Sequence, residues 1–242
     1  MKDEVKRAGR AFERRHAGFT LIEMLAVIGI IAVLAGLVVG LTSRASRASR
    51  DGKLKVMRDQ LVTAIEDYKS QIGYYPPDNR ANYPAGPINA VTNPLYYELT
   101  GTVVDNQKGV FFTPDRSEEI GVQAVRDYFG VEGFVNAVPS TGNLAADTRQ
   151  VRKFIELKSE QLGEIAPNVA VLTAPVRWPL NPRQGVPALA APVPSKPGLN
   201  PWRYVSTNPT NNPGRFDLWA EFVDGTSVKI ICNWNQGILD RP

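Results

Sequence analysis

An apolar run that contains a single acidic side chain constrains this chain more than any other feature. Between Phe19 and Leu41 only Thr20 and Glu23 are polar, and the run of about 23 residues is long enough to cross a bilayer as a tilted helix. A carboxylate within a membrane helix costs about 2.5–3.5 kcal/mol on insertion scales. The run therefore predicts a transmembrane helix over residues 19–41, in which Glu23 has a specific partner.

A short basic leader precedes the apolar run. Residues 1–18 contain six basic and three acidic side chains, and positively charged flanks stay on the cytoplasmic side of a membrane. The sequence therefore predicts a single-pass protein with a cytoplasmic N-terminus and an outward-facing body. Without the leader, 22 of the 28 basic and 21 of the 24 acidic residues remain, so the basic pI does not indicate a nucleic-acid partner.

The polar residues after Leu41 tolerate a helix, and an apolar stripe then follows. Its six residues recur at steps of three and four, which places them on one helix face: Leu54, Met57, Leu61, Ile65, Tyr68 and Ile72. Gly73 supplies a helix stop, and the prolines that follow prevent the helix from restarting. Residues 42–73 are therefore predicted to be the soluble half of one long helix that begins at Phe19.

The remaining residues, 74–242, are predicted to form one globular domain with a core of ordinary size. Phe216–Phe222 and Thr226–Trp234 have the pattern of a terminal β-hairpin with a tight Asp-Gly turn. The predicted fold is α+β. The long N-terminal helix, membrane-spanning in its first half, packs on a small antiparallel sheet.

An insertion at about 80–200 separates the two ends of this domain. Residues 116–131 and 144–165 have helical spacing, so both are predicted to be helices. Residues 167–201 are rich in proline and lack either periodicity, which indicates ordered loop or extended coil. The insertion is therefore predicted to be helical and proline-rich.

Reactive side chains are scarce. His16 is the single histidine and falls in the leader, and Cys232 is the single cysteine, so no disulfide can form within the chain. Cys232 is predicted to be a small buried hydrophobe. The four tryptophans are predicted to pack in the core or against loops: Trp178, Trp202, Trp219 and Trp234. The sequence indicates no catalytic activity.

The start of the apolar run also carries a specific motif. Gly18-Phe19-Thr20-Leu21-Ile22-Glu23, after a basic leader, resembles the processing site of type IV prepilins and of the pseudopilins of type II secretion. The resemblance implies the type IV pilin fold, cleavage between Gly18 and Phe19 by a prepilin peptidase and N-methyltransferase, and methylation of Phe19. It also implies that Glu23 acts in assembly, near a neighbouring subunit's new amino terminus. A buried carboxylate needs a buried cation, and the freed amine is the nearest candidate.

Two further segments resemble major pseudopilins. Residues 68–78 have the tyrosine, glycine and Tyr-Pro pair that close the long helix, and residues 200–206 with 216–225 have the Pro-Trp turn and the Asp-containing strand. The resemblance implies a structural subunit of a pseudopilus or type IV pilus, held in the bacterial inner membrane with a periplasmic domain. An inner-membrane platform then assembles it with other subunits into a helical fibre for protein secretion.

Two alternatives to a fibre-forming subunit are open from the sequence. One is a minor pilin or pseudopilin that binds substrate, sugar or DNA at a fibre tip. The other is a plain signal anchor that holds an unrelated domain, which predicts no special residue at Gly18 and no continuation of the helix, and the sequence agrees with neither.

Asp217 and Asp224 match positions that bind calcium in major pseudopilins, so the resemblance implies a calcium site there. Residues 208–214 form a loop that could offer neutral oxygens of the kind calcium accepts. A tight Asp224-Gly225 turn explains Asp224 without a metal. Calcium is the one cofactor that the sequence indicates.

Overall fold

The computed structural model describes residues 19–79, 88–180, 190–225 and 227–241, and residues 37–43 are described by their backbone. The predicted leader, including Gly18, lies outside the described residues. The chain divides into two compact units, residues 1–48 and residues 49–242.

In the first unit, the described residues form the N-terminal part of helix α1 (Leu21–Ile72). The large apolar side chains here are exposed, and Phe19 just before the helix is 77% exposed. None of the helices, as far as their residues are described, is long and apolar enough to cross a membrane. The span over residues 19–41 stays a prediction, and from residue 37 onward its side chains lie outside the description.

In the second unit, α1 carries the predicted apolar stripe. Five of its six members are buried in the core: Leu54, Met57, Leu61, Ile65 and Tyr68. The helix ends at Ile72 because Gly73 adopts a φ of 102° and donates its N–H to the carbonyl of Lys69 at 2.8 Å. The predicted stripe and the predicted helix end are confirmed.

Beyond α1, the described residues form short helices and ten strands. The helical segments are α2 (Leu95–Thr100), α3 (Val122–Ala124) with a π-helical turn (Val125–Phe129), α4 (Leu144–Gln150) and a 3-10 turn (Ser159–Gln161). The strands are β1 (Thr102–Asp105), β2 (Val110–Phe112), β3 (Glu119–Gly121), β4 (Ala137–Pro139), β5 (Leu162–Ala166), β6 (Val169–Leu172), β7 (Arg203–Val205), β8 (Asp217–Asp224), β9 (Ser227–Cys232) and β10 (Ile238–Asp240).

The C-terminal strands form an antiparallel sheet in the order β10-β9-β8-β7. Strands β8 and β9 pair from Trp219 opposite Cys232 to Asp224 opposite Ser227, which confirms the predicted terminal hairpin. Buried residues of this sheet share a core with α1, and Arg58 of α1 donates a hydrogen bond to the carbonyl of Cys232 in β9 at 3.3 Å. The observed architecture is α+β, and this antiparallel sheet beside the long helix is the one predicted.

The predicted insertion contains two further sheets. The first has the order β3-β2-β1-β4, in which β1 is antiparallel to β2 and parallel to β4. The second is the antiparallel hairpin of β5 and β6. The four residues of β6 are buried, although residues 167–201 were predicted to be loop or coil. That prediction is wrong for β6, where pairing with β5 stabilises a strand that shows no alternation.

The helix predicted over residues 116–131 is largely wrong. Residues Glu119–Gly121 form β3 and pair with β2, and Ile120 is fully buried. Helical backbone begins only at Val122, and the π-helical turn ends at Gly130, whose φ is 68°. The apolar residues of this segment therefore belong first to a strand and then to a short helix.

The helix predicted over residues 144–165 is correct only for its first two turns. Asn143 caps its start by accepting the N–H of Ala146 at 3.3 Å, but Val151 is extended, with a ψ of 131°. Phe154 donates its N–H to the carbonyl of Leu99 at 2.9 Å. Tertiary hydrogen bonding therefore takes the place of the next helical turn.

A buried carboxylate joins the insertion to α1. Glu98 in α2 is fully buried, and its oxygens accept hydrogen bonds from the Val135 N–H at 2.9 Å, the Asn136 N–H at 3.0 Å and the Tyr68 hydroxyl at 2.8 Å. Burial raises the pKa of Glu98, and the three donors oppose that shift. Because Tyr68 belongs to α1, this carboxylate fixes three parts of the chain relative to each other.

Candidate processing and assembly site

Helix α1 begins with a capping box formed by Thr20 and Glu23. The Glu23 carboxylate accepts the backbone N–H of Thr20 at 2.8 Å and the Thr20 hydroxyl at 2.7 Å. In return, the Thr20 hydroxyl oxygen accepts the N–H of Glu23 at 3.3 Å. The first helical residue is therefore Leu21, and Phe19 lies outside the helix.

This arrangement leaves part of the Glu23 carboxylate available. Both contacts with Thr20 use the same oxygen, Oε2, and no described residue donates a hydrogen bond to Oε1. Glu23 is exposed, as are the apolar side chains around it. A cation from another chain can therefore reach Oε1 without breaking the capping box.

The sequence did not indicate the role of Thr20. The signal that could have revealed it is the spacing Thr-x-x-Glu just before an apolar run, which is the pattern of a capping box. The sequence did indicate Gly18, Phe19 and Glu23. Among these, the structure describes Phe19 and Glu23 and brings both to the exposed start of α1.

The two aspartates predicted to share a calcium ion do not meet. Asp217 is the first residue of β8 and Asp224 is the last, so about 23 Å of extended strand separates them. Ligand oxygens of one calcium ion lie within about 5 Å of each other. The predicted pair is therefore not a calcium site, and within the described residues no group of three or more His, Cys, Asp or Glu side chains could hold a metal.

Each aspartate has a different partner. Asp217 is buried and accepts the backbone N–H groups of Asn211 and Asn212, both at 2.9 Å, as well as their side-chain amides at 3.0 and 3.2 Å. Asp224 forms an ion pair with Arg50 of α1 at 3.3 Å, and this guanidinium lies 4.7 Å from the centre of the Phe222 ring. Donors from the protein thus take the place that the prediction gave to calcium.

Asp217→Ala is expected to lower the free energy of unfolding by about 2–3 kcal/mol, because it removes a buried carboxylate that accepts four hydrogen bonds from the preceding loop. Millimolar calcium is expected to leave the melting temperature of the full chain in detergent unchanged, for the wild type and the variant alike. Asp240→Ala, at an exposed pair with Lys229, is the control and should have little effect. If calcium raised the melting temperature of the wild type but not that of Asp217→Ala, this account would be contradicted.

The predictions for cysteine and tryptophan agree with the structure. Cys232 is fully buried, and burial raises the pKa of its thiol. Trp178 and Trp202 are buried, and the Trp202 indole N–H donates to the sulfur of Met57 at 3.4 Å. Trp219 and Trp234 pack edge to face with ring centres 5.9 Å apart.

A comparison with protein families identifies the N-terminal segment. Residues 14–39 match the prokaryotic N-terminal methylation motif. The matched segment contains the predicted cleavage site, Phe19, the Thr20–Glu23 capping box and most of the apolar run. No curated protein and no solved structure matches the chain.

The match over this segment supports a type IV prepilin-like protein. It implies processing by a prepilin peptidase and assembly with other pilin subunits.

Proposed function

We propose that this chain is a structural subunit of a pseudopilus or type IV pilus that serves protein secretion. A prepilin peptidase of the inner membrane cleaves the precursor after Gly18 and methylates the amine of Phe19. The assembly platform then adds the processed subunit to a helical fibre. The chain has a structural role in this process and no catalytic one.

The match of residues 14–39 to the methylation motif carries this proposal. The geometry of the helix start supports it, because Phe19 precedes the helix and is 77% exposed. An enzyme that binds this peptide bond in extended form does not have to unwind α1. Cleavage after Gly18 also removes the basic leader and leaves the apolar helix on the mature chain.

The exposed apolar residues of the first unit supply the contact surface for assembly. Eleven large apolar side chains from Phe19 to Leu34 are exposed in the single chain. Apolar surface of this extent requires a lipid or protein environment. In the fibre, packing of these helices excludes water, and the Glu23 carboxylate meets the methylated amine of a neighbouring Phe19.

Processing is tested by the intact mass of the chain from membranes with and without the prepilin peptidase. With the peptidase, we expect a chain that begins at N-methylated Phe19, and without it a chain that begins at Met1. Gly18→Leu should accumulate as precursor because of its bulk, whereas Gly18→Ala is the matched small-residue control and should be processed. A mature chain that begins beyond Leu41 contradicts the proposal. So does an intact mass that is the same with and without the peptidase.

A further inference from the structure

A groove of about 1290 Å³ lies beside α1 in the second unit. One wall is the exposed face of α1 around Val56, and the others are the 3-10 turn and the segments that follow β6 and precede β7. Val56 is 58% exposed and Leu180 is 68% exposed, and both line the groove. Two large apolar side chains are thus exposed to solvent at a concave surface.

Positive charge exceeds negative charge around this groove. Lys53, Lys158 and Arg177 line it, and none of the three forms an ion pair with a described residue. Lys196 does not add to the excess, because it pairs with Glu164 at 3.7 Å. Glu160 is the one lining carboxylate without an ion pair to a described residue. We call the surface around Lys53, Lys158 and Arg177 the basic groove.

The β2–β3 turn carries the opposite charge. Asp115, Glu118 and Glu119 fall within five residues, and none forms an ion pair with a described residue. Arg116, in the same turn, lies with its guanidinium 4.7 Å from the centre of the Phe112 ring. We call residues 115–119 the acidic turn.

Within the acidic turn, Asp115 is stabilised by hydrogen bonds from Thr113 and Ser117, whereas Glu118 is in an unfavourable electrostatic environment. Burial, together with the negative charges of Glu164 and Asp115, raises the pKa of Glu118. A cation placed between these carboxylates relieves the repulsion. The three unpaired cations of the basic groove are such groups, and they belong to the same polypeptide.

We propose that the acidic turn of one subunit docks in the basic groove of the next subunit in the fibre. This inference rests on the proposed function, which makes a second copy of the chain the neighbour. Because the turn and the groove are different patches, the contact is heterologous, and a heterologous contact that does not close into a ring produces an open filament. Val56 and Leu180 supply apolar contact beneath the charged rim.

Because charged side chains form its rim, the contact is expected to depend on charge and on salt concentration. Charges at the rim of an interface select the partner and the register, and like charges placed opposite each other disfavour association. The attraction is screened at high ionic strength because all of these side chains except the half-buried Glu118 are solvent-exposed. Assembly is therefore expected to decrease when salt is raised during reconstitution.

Charge reversal in the full chain, expressed with its assembly machinery, tests the contact. Glu118→Lys with Glu119→Lys reverses the turn, and Lys158→Glu with Arg177→Glu reverses the groove. Each double variant alone is expected to lower the amount of chain in the sheared fibre fraction by about tenfold. All four substitutions in one chain are expected to restore assembly, because they exchange the two charges.

Asp127→Lys is the matched control, since this exposed carboxylate lies outside the acidic turn. Cysteine cross-linking provides a direct readout: Glu119→Cys in one chain and Lys158→Cys in a co-expressed chain should form a disulfide-linked dimer. When Asp127→Cys replaces Glu119→Cys, no disulfide-linked dimer with Lys158→Cys should form. The native Cys232 is buried, so it contributes little background.

The outcomes separate this contact from the proposed function. If the wild-type chain enters fibres and both double variants do so equally well, the contact is refuted while the fibre function stands. If the double variants fail and the fourfold variant also fails, the contact is refuted too, because lost folding then explains the defect. If the wild-type chain does not enter fibres, the proposed function fails and the contact fails with it.

Discussion

Glu23→Ala is expected to give a chain that reaches the membrane and is cleaved after Gly18 but does not enter fibres. An unpaired carboxylate opposes residence in a membrane, so its removal leaves insertion equal or improved. The loss appears when subunits meet, because attraction between a carboxylate and an amine grows as water is excluded. Fibre shearing measures the chain in fibres, and membrane fractionation measures the chain that stays in the membrane. The amount of chain in the sheared fraction should fall by about tenfold or more, which corresponds to about 1.4 kcal/mol.

The capping box makes Glu23→Gln the informative control. Glutamine retains an oxygen that can accept the two hydrogen bonds from Thr20, but it has no charge for a neighbour's amine. If charge pairing drives assembly, Glu23→Gln fails as Glu23→Ala does. Assembly of Glu23→Gln at the wild-type level would show that the residue serves to cap its own helix, and this outcome contradicts the assembly role.

Glu98→Ala is expected to destabilise the second unit strongly. It removes the acceptor of two buried donors, the Asn136 N–H and the Tyr68 hydroxyl, and of the N–H of Val135, a residue that is 41% exposed. Each buried donor left unpaired costs about 1–3 kcal/mol, so we expect a loss of about 3 kcal/mol or more. Chemical denaturation of the full chain in detergent, followed by tryptophan fluorescence, measures the change.

Two further variants distinguish the buried hydrogen bonds of Glu98 from the effect of an ordinary surface charge. Tyr68→Phe removes one of the three donors together with its need for a partner, so its effect should be well below that of Glu98→Ala. Glu132→Ala removes an exposed carboxylate that pairs with Arg126 and should change stability by less than about 1 kcal/mol. Equal stability of Glu98→Ala and Glu132→Ala would contradict the proposed role of Glu98.

The long helix and the terminal hairpin could be predicted because their signals are local and repeated. The apolar stripe of α1 recurs over five turns, and a single glycine stops the helix. The Asp224-Gly225 turn fixes the register of β8 and β9. Short elements of the insertion lack such repetition, and hydrogen bonds such as that from Phe154 to Leu99 determine them. The partners of Glu98 likewise come from distant residues.

The candidate sites also differ in whether their signals are local in the sequence or depend on distant residues. The processing motif lies in six consecutive residues, so the sequence contains all of it. Asp217 and Asp224 were misinterpreted because their chemistry depends on Arg50 and on the N–H groups of Asn211 and Asn212, which spacing does not show. The basic groove is assembled from residues that are more than 100 positions apart, and its charge is visible only after folding.

Immunogold labelling of filaments, combined with mass analysis of the sheared fraction, tests the central claim most directly. An epitope at the C-terminus of the full chain marks each subunit, and expression with the complete assembly machinery supplies the filaments. We predict label along the filament length and subunits that begin at N-methylated Phe19. Filaments without label, with a processed chain that remains entirely in the membrane, would contradict the claim that this protein is a fibre subunit.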